Sequence, residues 1–332
     1  AGTFDREIAV YTPGRSQWGG ESLDALRLNP FEIVRMHGAT TQVMPHLDRL
    51  KSIFNASFPM QEILPVILEE ALVDLYDSQG WLEEDELPPA GVGAPTISQL
   101  HARIGELVRA KGYEERITNN ITAALKTRIS SLMRGWKGKL FDQPVSTPWA
   151  KLFDRPVVIN LSQMGDDADK CFTMALILNF LYEYRQAQHE VAGSPESASL
   201  QHLAIFEEAH RVLRAAPHGG GGDANPAAKM GEMFSDILAE IRAYGQGLGI
   251  IDQVPSKLVP DALKNTNLKI VHRLVAADDR DAMASALALT EDQPQIIARL
   301  TVGQTIISGI QDDMASWVKI FYTPLPELKK DA

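Results

Sequence analysis

The fold is decided by the stretch Leu203-Ala204-Ile205-Phe206-Glu207-Glu208-Ala209-His210, in which an apolar run ends in two adjacent carboxylates. The apolar part predicts a strand inside a sheet, and the residues after it have a helix-like pattern. A parallel strand delivers its last residues to the carboxyl edge of the sheet, where ligands bind in open α/β folds. We therefore expect Glu207 and Glu208 to lie at a ligand-binding edge.

Two adjacent acids at the end of a buried strand are typical of the Walker B element of ATP-hydrolysing proteins. One carboxylate can hold Mg²⁺, usually through water, and the second can orient the attacking water. In the competing interpretation, both acids begin the next helix and complement its positive end. In either interpretation, His210 is expected to pack or to position its neighbours. No Gly-x-x-x-x-Gly-Lys-Ser/Thr phosphate loop occurs in the 332 residues. The sequence thus indicates the hydrolytic half of an ATP site without the binding half.

Composition limits the classes of function. A chain of 332 residues with 45% hydrophobic content holds one large α/β domain or two smaller ones. The net charge of −11 excludes a wholly basic surface that coats nucleic acid, but it allows a narrow basic channel. The single cysteine, Cys171, lies in an apolar helical pattern, so we expect a packed thiol and a reducing, cytoplasmic location. No apolar run approaches the roughly 18 residues of a membrane span.

Strands and helices alternate along the chain, which predicts an α/β fold with a largely parallel sheet covered on both faces. The expected strands are residues 8–12, 156–161, 203–206, 247–251 and 268–272, with a closing pair at 304–308 and 317–321. Long helices are expected from Asp169 to about Gln188, over 226–244, and from Asp278 to Leu289. A compact turn is expected at Leu28-Asn29-Pro30-Phe31.

Residues 44 to about 134 have helical periodicity throughout. Thr96 or Ser98 is expected to cap one of these helices, and the acidic, Pro- and Gly-rich residues 83–95 are expected to form a solvated loop. We interpret residues 44–150 as an all-helical insertion. It divides an α/β core made of residues 1–43 and 151–332.

Three further polar residues lie near predicted strand or helix ends. Gln253 follows the strand at 247–251, where an amide can sense a γ-phosphate or hold water; its simpler role is to cap the turn before Pro255. Arg242 lies off the apolar stripe of its helix and could reach a neighbouring subunit's γ-phosphate, although a surface ion pair is the default for a lone arginine. Arg273 follows the strand at 268–272. In a parallel sheet, Glu208, Gln253 and Arg273 would converge at one edge.

Four segments, in this order, resemble the HerA/FtsK superfamily, above all HerA-type DNA translocases and the conjugation ATPases of type IV secretion. They are Ile205–His210, Ala239–Gly245, Asp252–Leu258 and Asn265–Arg273. Tyr11–Gly14, Asn29–Phe31 and the helical insertion also resemble this group. Glu207 stands where Asp is more usual, and Val254 stands where many relatives carry Arg. In the family, the phosphate loop precedes the segment that resembles Tyr11–Gly14.

The resemblance implies a RecA-like P-loop NTPase fold and a ring, usually a homo-hexamer, that hydrolyses ATP between subunits and pulls DNA through a central pore. ATP and Mg²⁺ are the implied ligands. Glu208 would be the catalytic acid, Glu207 the acid associated with Mg²⁺ through water, and Gln253 the sensor. Arg242 would be the arginine finger acting in trans, with Arg273 as a second candidate.

The resulting prediction is an ATP-driven DNA translocase or helicase motor domain without its phosphate-binding loop, with a nuclease or a secretion channel as the implied kind of partner. The flexible run Gly219–Gly222 could face the pore or simply the solvent. The alternative is a non-catalytic structural or regulatory subunit that keeps the fold and turns nothing over.

Overall fold

The computed structural model describes residues 8–13, 17–18, 21–22, 25–39, 43–58, 60, 63–81, 91–193, 199–215, 225–290, 293–309 and 315–319. Within these ranges the strands are β1 (Ala9–Tyr11), β2 (Gln17–Trp18), β3 (Glu21–Ser22), β4 (Val157–Ile159), β5 (His202–Glu207), β6 (Gln246–Ile251), β7 (Lys269–Val271), β8 (Gln304–Ser308) and β9 (Ser316–Lys319). The helices are α1 (Val43–Ser57), α2 (Leu64–Asp77), α3 (Ile97–Ala110), α4 (Glu115–Leu132), α5 (Trp136–Phe141), α6 (Trp149–Phe153), α7 (Asp167–Ala192), α8 (Pro226–Glu240), α9 (Pro260–Asn265), α10 (Ala277–Ala286) and α11 (Pro294–Arg299).

Two parallel strand pairs form the α/β part of the fold. β1 pairs with β4, and β5 pairs with β6 over its whole length, from His202 opposite Gln246 to Glu207 opposite Ile251. Helix α8 connects β5 to β6, so these three elements form the parallel crossover that the alternating pattern predicts. The predicted α/β architecture is confirmed.

The end of the chain departs from that prediction. The strand expected at 268–272 is β7, and it pairs antiparallel with β8, which pairs antiparallel with β9. The closing pair of strands is therefore confirmed, but the expectation that β7 continues the parallel arrangement is wrong. Seven residues, 309–315, separate β8 from β9, which is enough for antiparallel neighbours, whereas parallel neighbours need a crossover of about a dozen residues or more. Residues 320–321 of the last expected strand lie outside the described ranges.

Helix α7 lies in the middle of the core. The Asp166 carboxylate accepts a hydrogen bond from the Ala168 N–H at 2.8 Å and caps its start, and Gly193, in the left-handed region at φ 60°, ends it. Most of its residues are buried, and its aromatic rings pack against α1, as in the tilted pair Phe54 and Phe172 with centroids 4.9 Å apart. One hydrophobic cluster includes side chains of α1 to α8.

The described residues between Val43 and Phe153 form helices and no strands, as the pattern over 44–134 predicts. Because α1 shares its core with α7 and α8, this helical region packs directly on the α/β part. The division into 1–43, 44–150 and 151–332 stays a prediction.

Two local predictions are confirmed, the helix cap at Thr96 and the compact turn at Asn29. Thr96 and Gln99 form a reciprocal capping box at the start of α3, with Thr96 N–H donating to the Gln99 side chain at 2.9 Å. The Asn29 side chain accepts from Phe31 N–H at 3.0 Å, which closes the expected compact turn. Residues 83–90 of the expected loop 83–95 and the run Gly219–Gly222 lie outside the described ranges, while residues 91–95 form neither helix nor strand.

Cys171 is the packed thiol that its apolar surroundings predict. Its Sγ lies 3.1 Å from the carbonyl oxygen of Arg211, and burial raises the pKa of the thiol above its ordinary value.

One face of the β5–β6 ladder is uncovered. Leu203 and Ile205 alternate with inward-facing residues of β5, and they are 54% and 60% exposed. Gly247 and Gly249 stand opposite them on β6 and add no side chain to this face. The prediction that helices cover both faces is therefore wrong within the described residues.

None of the described helices combines the length and hydropathy needed to cross a bilayer.

Candidate active site

The candidate site is the edge at which β5 and β6 end together. The parallel register places Glu207, the last residue of β5, opposite Ile251, the last residue of β6. Glu208 follows on one strand, and Asp252 and Gln253 follow on the other. The sequence-based prediction that Glu207, Glu208 and Gln253 lie near one strand edge agrees with this register.

Glu208 turns the chain sharply at the end of β5. It has φ 53° and ψ 45°, a left-handed conformation that is uncommon outside glycine, and a single 3₁₀ turn from Ala209 to Arg211 follows. Glu207 still belongs to the strand, and in the described residues the next α-helix begins only at Pro226. The two acids therefore do not open an α-helix, which removes the structural basis of the competing interpretation.

Arg211 holds the Glu208 carboxylate. Its Nε and a terminal nitrogen lie 2.7 and 2.6 Å from the same oxygen of Glu208, and its other terminal nitrogen lies 2.8 Å from Asp167 at the start of α7. This hydrogen-bonded guanidinium holds the pKa of Asp167 below its ordinary value. The Glu208 side chain is nevertheless 51% exposed, so water and a ligand can reach it.

Asp252 joins the two strand ends. One oxygen accepts from both the backbone N–H and Nδ1 of His210, at 2.7 and 2.8 Å, and the other accepts from Val254 N–H at 2.9 Å. The Asp252 side chain is 3% exposed, whereas His210 is partly exposed. His210 thus positions its neighbours, in agreement with its expected role.

The chemistry of the edge fits Mg²⁺ held mainly by phosphates. Glu207 and Gln253 are exposed, and neither side chain forms a hydrogen bond to any other described residue. The described residues contain no cluster of three or more His, Cys, Asp or Glu that could enclose a metal. Because Mg²⁺ usually keeps several waters and takes one or two carboxylates plus phosphate oxygens, a lone exposed carboxylate at Glu207 suits it.

Arg242 lies at the opposite edge of the sheet. It sits in a 3₁₀ turn, Ile241–Tyr244, just before β6 begins, while Gln253 lies just after β6 ends. Five residue steps of strand separate the two ends of β6 by about 17 Å. Arg242 is exposed and forms no ion pair with any described residue. Glu240, the acid two residues before it, accepts a hydrogen bond from Tyr182 at 2.6 Å. Arg242 cannot reach Glu208 of its own subunit.

Arg273 does not join Glu208 and Gln253 through the sheet. It follows β7, whose described pairing partner is the antiparallel β8 and not β6. Its Nε donates to the carbonyl oxygen of Ala298 at 3.1 Å. The predicted convergence of three consecutive parallel strand ends is therefore wrong for Arg273, because the parallel arrangement on which it depended stops at β6.

Asp252 and Arg211 were missed by sequence reasoning. The i, i+3 spacing of Glu208 and Arg211 signals a local ion pair only when the turn between them is helical, as the 3₁₀ turn here is. Asp252 stands beside Gln253 after an apolar run, but its bond to His210 spans 42 residues and leaves no local signal.

The sequence is similar to curated helicases. The DNA double-strand break repair helicase HerA of Pyrococcus furiosus is 33% identical over 140 residues, which is 42% of this chain and 24% of that protein. A probable HerA of Methanocaldococcus jannaschii is 33% identical over 119 residues, covering 36% of this chain and 22% of that protein. The matches thus span about a quarter of these relatives. No protein-family model matches the sequence.

Solved structures share the fold over nearly the whole chain. VirB4 of Thermoanaerobacter pseudethanolicus superposes with a TM-score of 0.67 at 16% identity, covering 96% of this chain and 77% of that one. The bacterial conjugative coupling protein TrwB superposes with a TM-score of 0.56 at 9% identity, covering 97% and 75%. In part of its sequence this chain is therefore similar to the HerA helicases, and its fold is that of the VirB4 and TrwB structures.

Proposed function

We propose that this chain is the hydrolytic part of an ATP-driven motor that translocates or unwinds DNA. The observation that carries the proposal is the parallel β5–β6 ladder, which ends in Glu207 and Glu208 on one strand and continues to Gln253 on the other. The similarity to HerA helicases supports DNA as the substrate that is moved.

Each residue at the edge has a distinct task in this proposal. Glu208 polarises the attacking water, for which its carboxylate must leave Arg211. Glu207 contacts the metal, directly or through water, and Gln253 senses the γ-phosphate. Mg²⁺ supplies positive charge that offsets the charge developing on the transferred phosphoryl group.

We further propose that a segment absent from these 332 residues binds the phosphates. Strands of parallel sheets are buried on both faces, yet Leu203 and Ile205 are exposed here. A helix that follows a strand parallel to β5 and covers this face would run antiparallel to β5. Its N-terminus would then lie at the edge of Glu207, where helix N–H groups bind phosphate. We accordingly expect these 332 residues alone to bind ATP poorly, and micromolar affinity by calorimetry would contradict this.

Arg242 is proposed to act in trans within a homo-oligomeric ring, for which a hexamer is the expected size. Its position at the amino edge of β6 supports a role outside its own subunit's site, and its exposed guanidinium, which forms no ion pair with any described residue, is available to a neighbour. Arg273 remains the second candidate for this role.

The test uses the protein extended upstream to include a Gly-x-x-x-x-Gly-Lys-Thr loop. We expect Glu208→Gln to lower kcat for ATP about 100-fold or more, since it removes the group that activates water. Glu232→Gln, an exposed acid of α8, is the matched control and should leave kcat unchanged.

Unchanged turnover in Glu208→Gln would reject the role of Glu208. The alternative, a non-catalytic structural or regulatory subunit, requires that the wild-type protein hydrolyse no ATP with or without DNA. Absence of a phosphate loop within about 50 residues upstream, the span of one βαβ unit, would favour that alternative.

A further inference from the structure

Asp252 is a buried carboxylate whose hydrogen bonds to described residues all lie at the candidate site. It follows β6 directly and accepts three N–H donors, two from His210 and one from Val254, at 2.7 to 2.9 Å. An ionised carboxylate can only accept, so His210 Nδ1 carries a hydrogen. Bonds of this kind to a charged group are shorter and stronger than neutral ones.

These bonds cross between the strands beyond the last pair of the ladder. The β5–β6 register ends at Glu207 and Ile251. Past that point, the bond between His210 and Asp252 is the described contact between the β5 loop and the β6 loop that lies nearest to Glu208 in sequence. The two loops are also joined further along, where Val259 N–H donates to Leu213 at 2.9 Å and Ala215 N–H donates to Lys257 at 2.8 Å. His210 comes two residues after Glu208, and Asp252 comes one residue before Gln253.

The bond between His210 and Asp252 also helps to keep Glu208 in its left-handed backbone conformation. A non-glycine residue at φ 53° is held there at a cost of about 1 kcal/mol or more, and it persists only where surrounding contacts enforce it. The His210 N–H that bonds to Asp252 lies immediately after this turn. Releasing it would let the turn relax and move the Glu208 carboxylate.

We propose that Asp252 and His210 form a latch that holds Glu208 at a fixed position relative to Gln253. Asp252 is a positioning residue that acts through His210, and it links the residue proposed to sense the γ-phosphate to the residue proposed to activate water. This inference rests on the proposed function. It identifies the contact through which the proposed sensor, Gln253, and the proposed catalytic acid, Glu208, act together.

The activity test compares two substitutions of His210 in the protein that carries the phosphate loop. Asn places an amide N–H close to the position of Nδ1, whereas Leu removes the donor. We expect His210→Leu to lower kcat about tenfold, the effect of one lost charge-assisted hydrogen bond, with KM for ATP unchanged within about twofold. We expect His210→Asn to keep about half of the wild-type kcat or more.

A purely structural role would change KM and kcat together, or would leave Asn as impaired as Leu, and either result overturns the proposal. Unchanged kcat in His210→Leu overturns it as well.

Hydrogen exchange tests the latch without activity. Asp252→Asn should speed exchange of the Glu208–Arg211 amides about tenfold, while Asp236→Asn, an exposed acid of α8, should not. Equal exchange in both variants rejects the latch. If the wild-type protein hydrolyses no ATP but Asp252→Asn exchanges its amides faster, the proposed function fails while the latch stands. If His210→Leu does not fold, hydrogen exchange in Asp252→Asn tests the latch in its place.

Discussion

The Arg211 guanidinium binds one oxygen of the Glu208 carboxylate through two nitrogens, at 2.7 and 2.6 Å, while its third nitrogen binds Asp167. The proposed catalytic acid is therefore held by a cation. Because this ion pair is partly exposed, its strength is modest, about 0.2–1 kcal/mol. Water and nucleotide can compete with it.

Arg211→Gln is expected to raise ATP turnover in the absence of DNA by up to about fivefold. The upper limit is the equilibrium factor for an exposed ion pair of about 1 kcal/mol that no longer competes for Glu208. The measurement is steady-state ATPase activity of the protein that carries the phosphate loop. The double variant with Glu208→Gln should be as inactive as Glu208→Gln alone, and a fall in basal turnover of Arg211→Gln would show that Arg211 assists hydrolysis instead.

A buried charged cluster is expected to make stability depend on acid pH. His46 Nδ1 and Arg49 each lie 2.8 Å from Glu183 on α7, and His46 Nε2 lies 3.1 Å from the Pro30 carbonyl oxygen. Burial by itself disfavours the Glu183 charge, but its interactions with His46 and Arg49 hold the pKa of Glu183 at about 2, below its ordinary 4.5. The unfolded chain therefore binds this proton first. The stability that the cluster contributes is complete above about pH 4.5 and is lost as the pH falls towards 2.

Glu183→Gln tests this cluster by urea denaturation at neutral and at acid pH. At neutral pH we expect it to lower the free energy of unfolding by roughly 3–5 kcal/mol, because the partly buried Arg49 guanidinium loses its buried counter-charge. Below about pH 4 its loss of stability with falling pH should be shallower than that of the wild type. Glu69→Gln, which breaks an exposed pair with Lys51, is the control and should cost less than about 1 kcal/mol. Equal pH dependence in wild type and Glu183→Gln would contradict the prediction.

Ile205→Glu tests whether the exposed face of β5 is covered in the longer protein. In these 332 residues alone the side chain is 60% exposed, and we expect a change in unfolding free energy within about 0.5 kcal/mol. In the protein with the phosphate-binding segment, a buried unpaired charge should cost several kcal/mol. The measurement is thermal or urea unfolding of both proteins. A small effect in both would mean that the face stays open to solvent.

Much of the fold could be predicted because its signals are local. The alternation of strand and helix patterns, the capping box of Thr96 and the turn at Asn29 depend on residues a few positions apart. The position of Glu207 and Glu208 also follows from a local rule, since a parallel strand must end at the carboxyl edge of its sheet.

What failed or was missed depends on which distant segments meet. Arg273 was expected beside Glu208, but the partner of β7 is β8, and no pattern within β7 specifies the direction of its partner. The exposure of Leu203 and Ile205 depends on which segment covers them. The residue pattern of β5 carries no information about that segment.

The sequence by itself determined the α/β pattern, the acids at the end of β5 and the resemblance to a family of motors, because periodicity, capping and motif order are written in neighbouring residues. Only the tertiary structure decided how those acids are held. Arg211 and the bond between His210 and Asp252 act through space, where hydrogen bonds are set by distance and burial and not by separation along the chain.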